Sequence, residues 1–312
     1  MRSFNKLVVT LGVVVAVLVS VLVGGTTPAR AAVPEGDVDD AIYNYLYRPD
    51  HLPGGNDWDC KPTAGRPNPV VLVPGTFANI GANFTKLAPR LKNNGFCVFG
   101  LNYGMTALSN DRVGGLGPIV ESAHELDAFV ARVLTATGAA KVDIVGHSQG
   151  GNVPIYWIKR MGGAAKVAHY VGWAPSSHGT DLNGLVDLAE DLDALGFIND
   201  AAAYVGTPGL TDQMVTSDYT KALWADTNTV PAGPKYTVIM SRWDAVVTPY
   251  SSQRLSGTGV RNLVVQDYCW NDNIGHAGLA FDGPTMQLTL NALTDGPSWF
   301  WPVCWDYGIQ WL

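Results

Sequence analysis

The sequence has 312 residues, of which 47% are apolar and 15% are charged. Intrinsic disorder requires the opposite composition, so we expect a folded chain of one large domain or two ordinary ones. The formal net charge of −7 argues against a basic binding face, and no nucleic-acid partner is expected.

The first 31 residues predict a secretory signal peptide. Arg2 and Lys6 precede an apolar run from Leu7 to Val23, and Ala29-Arg30-Ala31 has the A-x-A pattern of a cleavage site. The run has 17 residues. A membrane-spanning helix needs about 20, so cleavage after Ala31 is favoured over an uncleaved anchor.

The expected mature chain, residues 32–312, is more acidic than the whole sequence. Cleavage removes three basic residues and no acidic one, which leaves 17 basic and 27 acidic residues and a formal net charge of −10. No later stretch has 18 consecutive apolar residues, so we expect a secreted protein without a transmembrane segment. The sequence carries no signal for an oligomeric state.

Export makes disulfide bonds possible among the four cysteines. Three connectivities are allowed. The pairs Cys60–Cys97 and Cys269–Cys304 are preferred because each closes a sequence-local loop, but spacing alone leaves the other two open. A zinc site is not expected, since neither C-x-x-C nor H-x-x-x-H spacing occurs.

Short apolar segments alternate with helical ones along the mature chain. The predicted strands are approximately Pro69–Pro74, Cys97–Tyr103, Lys141–Gly146, Val167–Ala174, Lys235–Ser241 and Val260–Asp267. The predicted helices between them are Asn83–Asn93, Pro118–Thr137 and Gln149–Met161, each followed by glycine. Almost continuously apolar strands are typical of a sheet covered on both faces. We therefore expect an α/β fold with a mostly parallel central sheet flanked by helices.

One interval breaks this alternation. From about 181 to 223 the sequence has no convincing strand, but it has leucines at helical spacing and a Gly206–Gly209 interruption. This predicts a helical cap insertion within a single catalytic domain that covers residues 32–312.

Residues Gly146–Gly150 form a G-x-S-x-G pentapeptide around Ser148. The pentapeptide follows the apolar stretch Val142–Val145 and precedes a predicted helix, which is the strand–turn–helix context of a nucleophile elbow. The helix N-terminus would favour negative charge developing beside the serine. The alternative is a glycine-rich turn whose serine only caps the helix.

A serine nucleophile needs a base, which an acid orients, and in this architecture the chain order is serine, acid, histidine. His276 is the predicted base, because it follows the last strand in a loop of small residues. His51, His124 and His147 precede the serine. His169 lies inside a predicted strand, and His178 comes before the expected acid.

Asp244 is the predicted acid, because it follows the strand segment Tyr236–Met240 at the edge where active sites of parallel sheets lie. The alternatives are Asp267 and Asp272, which flank the end of the last strand, or an ordinary turn role for Asp244. The predicted oxyanion donors are the backbone N–H groups of Gln149 and Thr76, with Phe77 as the nearest rival of Thr76.

The chain resembles secreted bacterial lipases of the α/β-hydrolase superfamily and the yeast lipases of the lipase B type. The resemblance spans about residues 50–312. The matching stretches are Val73–Thr76, Ser148–Gly151, Ala174-Pro175 with Gly179-Thr180, Asp244 with Val246–Pro249, and His276–Gly278. Pro74-Gly75 stands where many of these lipases have His-Gly, a departure that affects the oxyanion loop.

The resemblance implies an α/β-hydrolase fold with Ser148, Asp244 and His276 as the catalytic triad. It further implies Thr76 and Gln149 as oxyanion donors, carboxylic esters as substrates and the disulfide pairing preferred above. An apolar cap suits long acyl chains and an oil–water interface, so a triacylglycerol lipase is favoured. The alternatives are a short-chain carboxylesterase, a polyester hydrolase and a non-catalytic hydrolase-like binding protein.

Neither a cofactor nor a metal is expected, because acyl transfer to serine needs none and no calcium-binding loop is evident. A final aromatic group comprises Trp299, Phe300, Trp301, Trp305 and Trp311. We expect these rings to pack near Cys304 rather than to form a lipid-contacting patch, since aromatic clusters are usually core.

Overall fold

A computed structural model of the chain describes residues 31–310, apart from 182, 195, 197, 199 and 200. Apart from Ala31, the predicted signal peptide lies outside the described residues. From Ala32 onward the chain forms one compact unit. Within the described ranges, no helix combines the length and apolar character that crossing a bilayer requires.

Six parallel strands form a single sheet. They are β1 (Val70–Val73), β2 (Val98–Gly100), β3 (Val142–His147), β4 (Val167–Trp173), β5 (Lys235–Met240) and β6 (Val260–Val264). Their order across the sheet is β2-β1-β3-β4-β5-β6. The predicted parallel sheet is confirmed, although the last strand ends three residues earlier than expected.

Strand register brings several carboxyl ends to one edge of the sheet. Val73 of β1 lies opposite Gly146 of β3, and Trp173 of β4 lies opposite both His147 of β3 and Ile239 of β5. Loops that follow these strands therefore start close together. This edge is where an open parallel sheet places its ligand site.

Eleven α-helices are described around the sheet. They are α1 (Val38–Tyr47), α2 (Ile80–Asn83), α3 (Leu87–Asn93), α4 (Ile119–Thr137), α5 (Gln149–Arg160), α6 (Asn183–Ala194), α7 (Ala201–Val205), α8 (Pro208–Thr211), α9 (Asp218–Leu223), α10 (Val265–Tyr268) and α11 (Gly283–Leu293). Helices α6 to α9 lie between β4 and β5, in the interval where a cap was predicted.

The helix predicted over Asn83–Asn93 is confirmed as α3, which ends at Asn93 but begins four residues later than predicted, at Leu87. Asn83 instead ends the separate short helix α2. Pro89 cannot donate an i→i−4 hydrogen bond. The start at Leu87 places Pro89 in the first turn of α3, where no such bond is needed.

Both faces of the sheet are covered by apolar side chains. Val71 and Val73 of β1 belong to one core cluster, and Val70 and Leu72 belong to the other. All four are completely buried. Alternate strand residues point to opposite faces, so this pattern gives the three-layer packing expected from continuously apolar strands.

Two disulfide bonds are present, Cys60–Cys97 and Cys269–Cys304. The expectation that the C-terminal aromatic rings pack near Cys304 is correct only in part. Trp299, Trp301 and Trp305 are 81%, 62% and 67% exposed. Phe300 packs against the core and Trp301 contacts Tyr268, whereas Trp299 and Trp305 do not pack as expected. Trp311 lies outside the described residues.

Candidate active site

The G-x-S-x-G pentapeptide forms a tight turn between β3 and α5. Ser148 has φ +55° and ψ −126°, a strained conformation for a residue with a side chain. A Cβ on Gly146 would lie 2.0 Å from the Gly150 carbonyl oxygen, and one on Gly150 would lie 2.2 Å from that of Pro74. Glycine is therefore required on both sides of the serine, which gives the geometry of a nucleophile elbow.

His276 and Asp244 are hydrogen-bonded to each other. Nδ1 of His276 lies 2.8 Å from Oδ2 of Asp244. The backbone N–H groups of Val246 and Val247 donate to the other carboxylate oxygen, Oδ1, at 2.8 Å each. The side-chain amide of Gln253 donates to Oδ2 at 2.8 Å. Four donors thus hold the Asp244 carboxylate in a buried position.

The second ring nitrogen of His276 has a different environment. Nε2 is buried and has no hydrogen-bond partner among the described residues. Because Nδ1 donates to Asp244, the neutral ring keeps an unused lone pair at Nε2. His276 and Ser148 line the same cavity. A buried polar atom without a partner is uncommon in a folded protein, and it indicates a site that another group occupies.

The cavity has a volume of about 330 Å³ and a mainly apolar lining. The aliphatic and aromatic lining residues are Val38, Ala41, Ile42 and Tyr45 around α1, Phe77, Ala78 and Ala82 after β1, Leu188 and Leu192 of α6, and Ala277, Ala280, Phe281 and Ile309. Convergent polar groups at one end of an apolar cavity are typical of a small-molecule site.

The sequence did not predict α1, although this helix supplies part of the lining. The Asp37 side chain caps the first turn by accepting from the backbone N–H groups of Asp39 and Asp40. The Asp40 side chain in turn accepts from the Asp37 N–H. An acidic residue three positions after a capping aspartate is a recognised start signal for a helix, so the sequence did contain evidence for α1.

The backbone N–H groups of Thr76 and Gln149, near Ser148, have no described hydrogen-bond acceptor. The N–H of Phe77, the rival of Thr76, instead donates to the Gly114 carbonyl at 3.0 Å. Thr76 and Gln149 are both buried. They follow β1 and β3, whose ends are paired in the sheet. Two free N–H donors thus lie on adjacent loops at the same edge.

Gln213, which no motif singled out, holds this loop from the turn that follows α8. Its side-chain amide donates to the Thr76 hydroxyl oxygen at 3.0 Å and to the Gly209 carbonyl at 2.9 Å. Its amide oxygen accepts from the Ser176 hydroxyl at 2.9 Å. The segment predicted as a cap therefore also fixes the loop after β1.

His147 links two loops of the site. Its Nε2 lies 3.0 Å from the carbonyl oxygen of His276, and its Nδ1 lies 3.0 Å from Nδ2 of Asn83. Oδ1 of Asn83 accepts from the Gly75 N–H at 2.8 Å. Burial and the neighbouring His276 lower the pKa of His147 to about 3. The ring is therefore neutral, with Nε2 as donor and Nδ1 as acceptor.

The other candidates have different partners. Asp267 pairs with Arg242 at the surface. Asp272 is buried and accepts from the Ile274 N–H at 3.1 Å. His169 bonds to Asp143 at 2.8 Å inside the sheet layer. Among the residues that the structure describes, no three His, Cys, Asp or Glu side chains form a group that could hold a metal ion.

The parallel sheet and its serine elbow define an α/β hydrolase. Residues 67–287 match the model of the lipase (class 2) family, and the chain belongs to this family.

Individual relatives match shorter parts of the chain. Triacylglycerol lipases of Pseudarthrobacter phenanthrenivorans and Burkholderia plantarii are each 38% identical over 88 residues, which is 27% of this chain. The aligned region spans only 25% and 23% of those two proteins. The crystal structure of Aspergillus fumigatus lipase B matches with a TM-score of 0.61 and 21% identity, over 79% of this chain and 56% of that one. This structural similarity supports the fold.

Proposed function

We propose that the protein hydrolyses carboxylic esters through an acyl-enzyme formed on Ser148, and that its substrates are triacylglycerols. The observation that carries this proposal is the free Nε2 of His276, which is buried, beside the cavity that Ser148 also lines. Its other ring nitrogen is held by Asp244. These observations support Ser148 as the nucleophile, His276 as the base and Asp244 as the orienting acid of a serine hydrolase.

In the first step, Nε2 of His276 accepts the Ser148 hydroxyl proton while the serine oxygen attacks the ester carbonyl carbon. The resulting imidazolium is stabilised by Asp244, whose four hydrogen bonds keep the carboxylate in place. The imidazolium then donates its proton to the leaving alcohol, and the acyl group stays on Ser148. In the second step, His276 accepts a proton from water while the water oxygen attacks the acyl-enzyme. The imidazolium then returns the proton to the Ser148 oxygen, and the carboxylic acid is released.

Negative charge develops on the carbonyl oxygen in both steps. We assign its stabilisation to the backbone N–H groups of Thr76 and Gln149, because neither donates to another described group and both are buried. The N-terminus of α5 adds a favourable dipole. Loss of one such donor typically costs about 3 kcal/mol of transition-state stabilisation.

The cavity favours a long, uncharged acyl chain. Its lining is mainly aliphatic and aromatic, and α1 and α6 supply apolar side chains to it. Burial of each additional methylene contributes about 0.8 kcal/mol, so substrates with longer acyl chains should bind more tightly. Substrates with long acyl chains collect at oil–water interfaces, where we expect the enzyme to act.

We also propose that the protein is secreted after cleavage behind Ala31, with residues 32–312 as one catalytic domain. Two disulfide bonds are compatible with an oxidising compartment. N-terminal sequencing of the exported protein would give Ala32 as the first residue, and a retained N-terminus would contradict cleavage.

Turnover of p-nitrophenyl butyrate and palmitate tests the activity, with Ser148→Ala as the matched control. We expect the wild type to hydrolyse both esters, to prefer palmitate and to be stimulated by a triacylglycerol emulsion, and we expect the variant to be inactive. Failure of the folded protein to turn over any ester would exclude the hydrolase. Turnover of butyrate alone, without interfacial stimulation, would leave a short-chain esterase in place of a lipase.

A further inference from the structure

Two buried carboxyl groups meet at the ends of the loop that carries His276. Asp272 precedes the histidine by four residues, and Asp282 follows it by six. Both side chains are completely buried. The two carboxyl groups are close enough to interact with each other, and they lie at the two ends of the loop 272–282.

One oxygen of each carboxyl group is already supplied with donors. Oδ1 of Asp272 accepts from the Ile274 N–H at 3.1 Å and from the Gln310 amide at 3.2 Å. Oδ2 of Asp282 accepts from the N–H and the hydroxyl of Thr285, at 2.7 and 2.6 Å, and so also caps α11.

The remaining oxygen of each carboxyl group receives no such donor. Oδ2 of Asp272 and Oδ1 of Asp282 are buried and have no donor among the described residues. Two bare carboxylates facing each other would repel, and each would leave a buried acceptor unsatisfied. A single proton between the two oxygens removes both costs.

Among the described residues, no cationic side chain bonds to either carboxyl group. Burial, together with the negative charge of Asp272 and Asp282, raises the pKa of the Tyr307 phenol, whose hydroxyl lies 2.9 Å from Oδ1 of Asn271. Lys86 reaches the Phe281 carbonyl at 2.8 Å, but its ammonium pairs with Asp306 at 2.8 Å. Burial raises the pKa of Asp272. Burial and the charge of Asp272 raise the pKa of Asp282 to about 7.

We propose that Asp272 and Asp282 share one proton, and that this pair is a positioning device that holds the loop 272–282 closed and keeps His276 beside Ser148. Release of the proton to solvent at higher pH leaves two facing carboxylates, which loosens the loop. The proposal rests on the proposed function only for the role of His276. The shared proton itself is independent of catalysis.

An asparagine at either position reproduces the protonated pair. In Asp282→Asn, the amide oxygen accepts from Thr285 while the amide N–H₂ group donates to Oδ2 of Asp272. Asp272→Asn is the mirror case. In each single variant, the asparagine N–H₂ group takes the place of the shared proton and donates at every pH. The double variant Asp272→Asn/Asp282→Asn places two N–H₂ groups face to face and removes the contact.

Thermal unfolding of the whole protein tests the shared proton. The pKa of Asp282 is about 7 in the folded chain and 3.8 in the reference state. The stabilising effect of the proton is therefore fully present below about pH 4 and is lost as the pH rises to about 7. Because other groups also titrate in this range, the quantity compared is the Tm of Asp282→Asn minus that of the wild type. We expect this difference to increase by roughly 5 °C between pH 5 and pH 8.

Parallel Tm profiles of the wild type and both single variants would overturn the proposal. Lower Tm on chelation, restored by Ca²⁺, would overturn it as well by assigning the pair to a cation. If a variant fails to fold, infrared spectra of the wild type decide the question, because a protonated carboxyl band must disappear between pH 5 and pH 8.

Ester hydrolysis tests the effect on His276. We expect the ratio of kcat between Asp282→Asn and wild type to increase severalfold from pH 6 to pH 8, with little change in KM. The double variant should have reduced kcat at both pH values. If the Tm measurements show the shared proton but this kcat ratio does not change with pH, the positioning role is rejected. The proposed ester hydrolysis would remain unaffected.

Discussion

Asp244 divides its two carboxylate oxygens between the backbone and His276. Oδ1 accepts from two N–H groups, while Oδ2 accepts from Gln253 and lies 2.8 Å from His276. This division fixes the carboxylate before any substrate binds. It also predicts that Asp244→Asn removes the charge of this side chain while keeping its size and shape.

We expect Asp244→Asn to lower kcat by about 10⁴-fold with little change in KM, because an amide cannot stabilise the imidazolium and favours the wrong tautomer. Steady-state hydrolysis of p-nitrophenyl butyrate measures this. Asp267→Asn is the control, since it removes a carboxylate that pairs with Arg242 at the surface. Equal losses in the two variants would show that Asp244 is not the orienting acid.

His147 provides a second prediction at the scale of one side chain. Its pKa is about 3 in the folded protein and 6.5 in the reference state, with burial as the main cause. The stability that the neutral ring contributes is present above pH 6.5 and is lost as the pH falls towards 3, on the order of 4 kcal/mol in total. The wild type should therefore lose stability across this acidic range.

Urea unfolding at pH 4 and pH 7 measures the effect of His147. In His147→Gln the pH-dependent loss should shrink, because glutamine does not titrate, and kcat should fall about tenfold as the link between the Gly75 and His276 loops weakens. His124→Gln, at an exposed helix position, should behave as the wild type. An unchanged acid response in His147→Gln would contradict this assignment.

The sequence identified residues whose chemistry is tied to spacing and missed those that act through distant contacts. Ser148 could be predicted because its pentapeptide lies between an apolar strand and a helix. Gln213 could not, since it supports Thr76 from 137 positions away and no local pattern marks it. The link from His147 to His276 spans 129 positions and is equally invisible in a single sequence.

Strands were easier to predict than helices for a physical reason. A strand buried on both faces is apolar throughout, as β1 is, so short apolar segments along the sequence marked the strand positions. Strand β6, with Arg261 and Asn262 half-buried at the sheet edge, has a weaker pattern. Helix boundaries depend on single residues such as proline, and the late start of α3 places Pro89 in its first turn, where it needs no i→i−4 donor. The cap interval gave only a general helical pattern, because its leucines do not specify where each short helix ends.

Helix α6 connects this interval to the cavity and yields a prediction about acyl-chain length. Leu185 is completely buried against Val246 and Val247, beside Asp244, while Leu188 of the same helix lines the cavity. A larger side chain at Leu188 would fill space that a long acyl chain needs. Leu185, the completely buried residue of this helix, would not be replaced.

We expect Leu188→Trp to lower kcat/KM for p-nitrophenyl palmitate at least tenfold relative to butyrate, since excluding a few methylenes costs about 1–3 kcal/mol. Both esters are measured with the same preparation, so partial unfolding affects them equally. Val215→Trp, an exposed position outside the cavity lining, is the size-matched control. An unchanged palmitate-to-butyrate ratio would place the acyl chain elsewhere.

At the scale of the whole molecule, the apolar composition has separate sources. Part of it lies in residues 1–31, and part lies in strands that are completely buried. A third part is exposed, since Trp270, Trp299 and Trp305 are 86%, 81% and 67% accessible. Composition cannot distinguish a buried ring from an exposed one, which explains why the prediction failed for Trp299 and Trp305.

The two disulfide bonds connect segments outside the sheet to its core. Cys60 lies in the irregular segment before β1 and bonds to Cys97 just before β2, while Cys304 fixes the C-terminal segment to the end of α10. Their sequence separations are 37 and 35 residues. Loop-closure entropy depends only on this separation, so each bond should stabilise the protein by nearly the same amount, about 4 kcal/mol.

We therefore expect Cys60→Ser/Cys97→Ser and Cys269→Ser/Cys304→Ser to lower the free energy of unfolding equally, as measured by urea denaturation with tryptophan fluorescence. Limited proteolysis should distinguish them, because only the second variant releases the C-terminal segment for cleavage. A difference of more than about 1 kcal/mol between the variants would show that native contacts, rather than chain entropy, determine the contribution of at least one bond. A larger loss in the second variant would then point to the loop of His276, which begins three residues after Cys269.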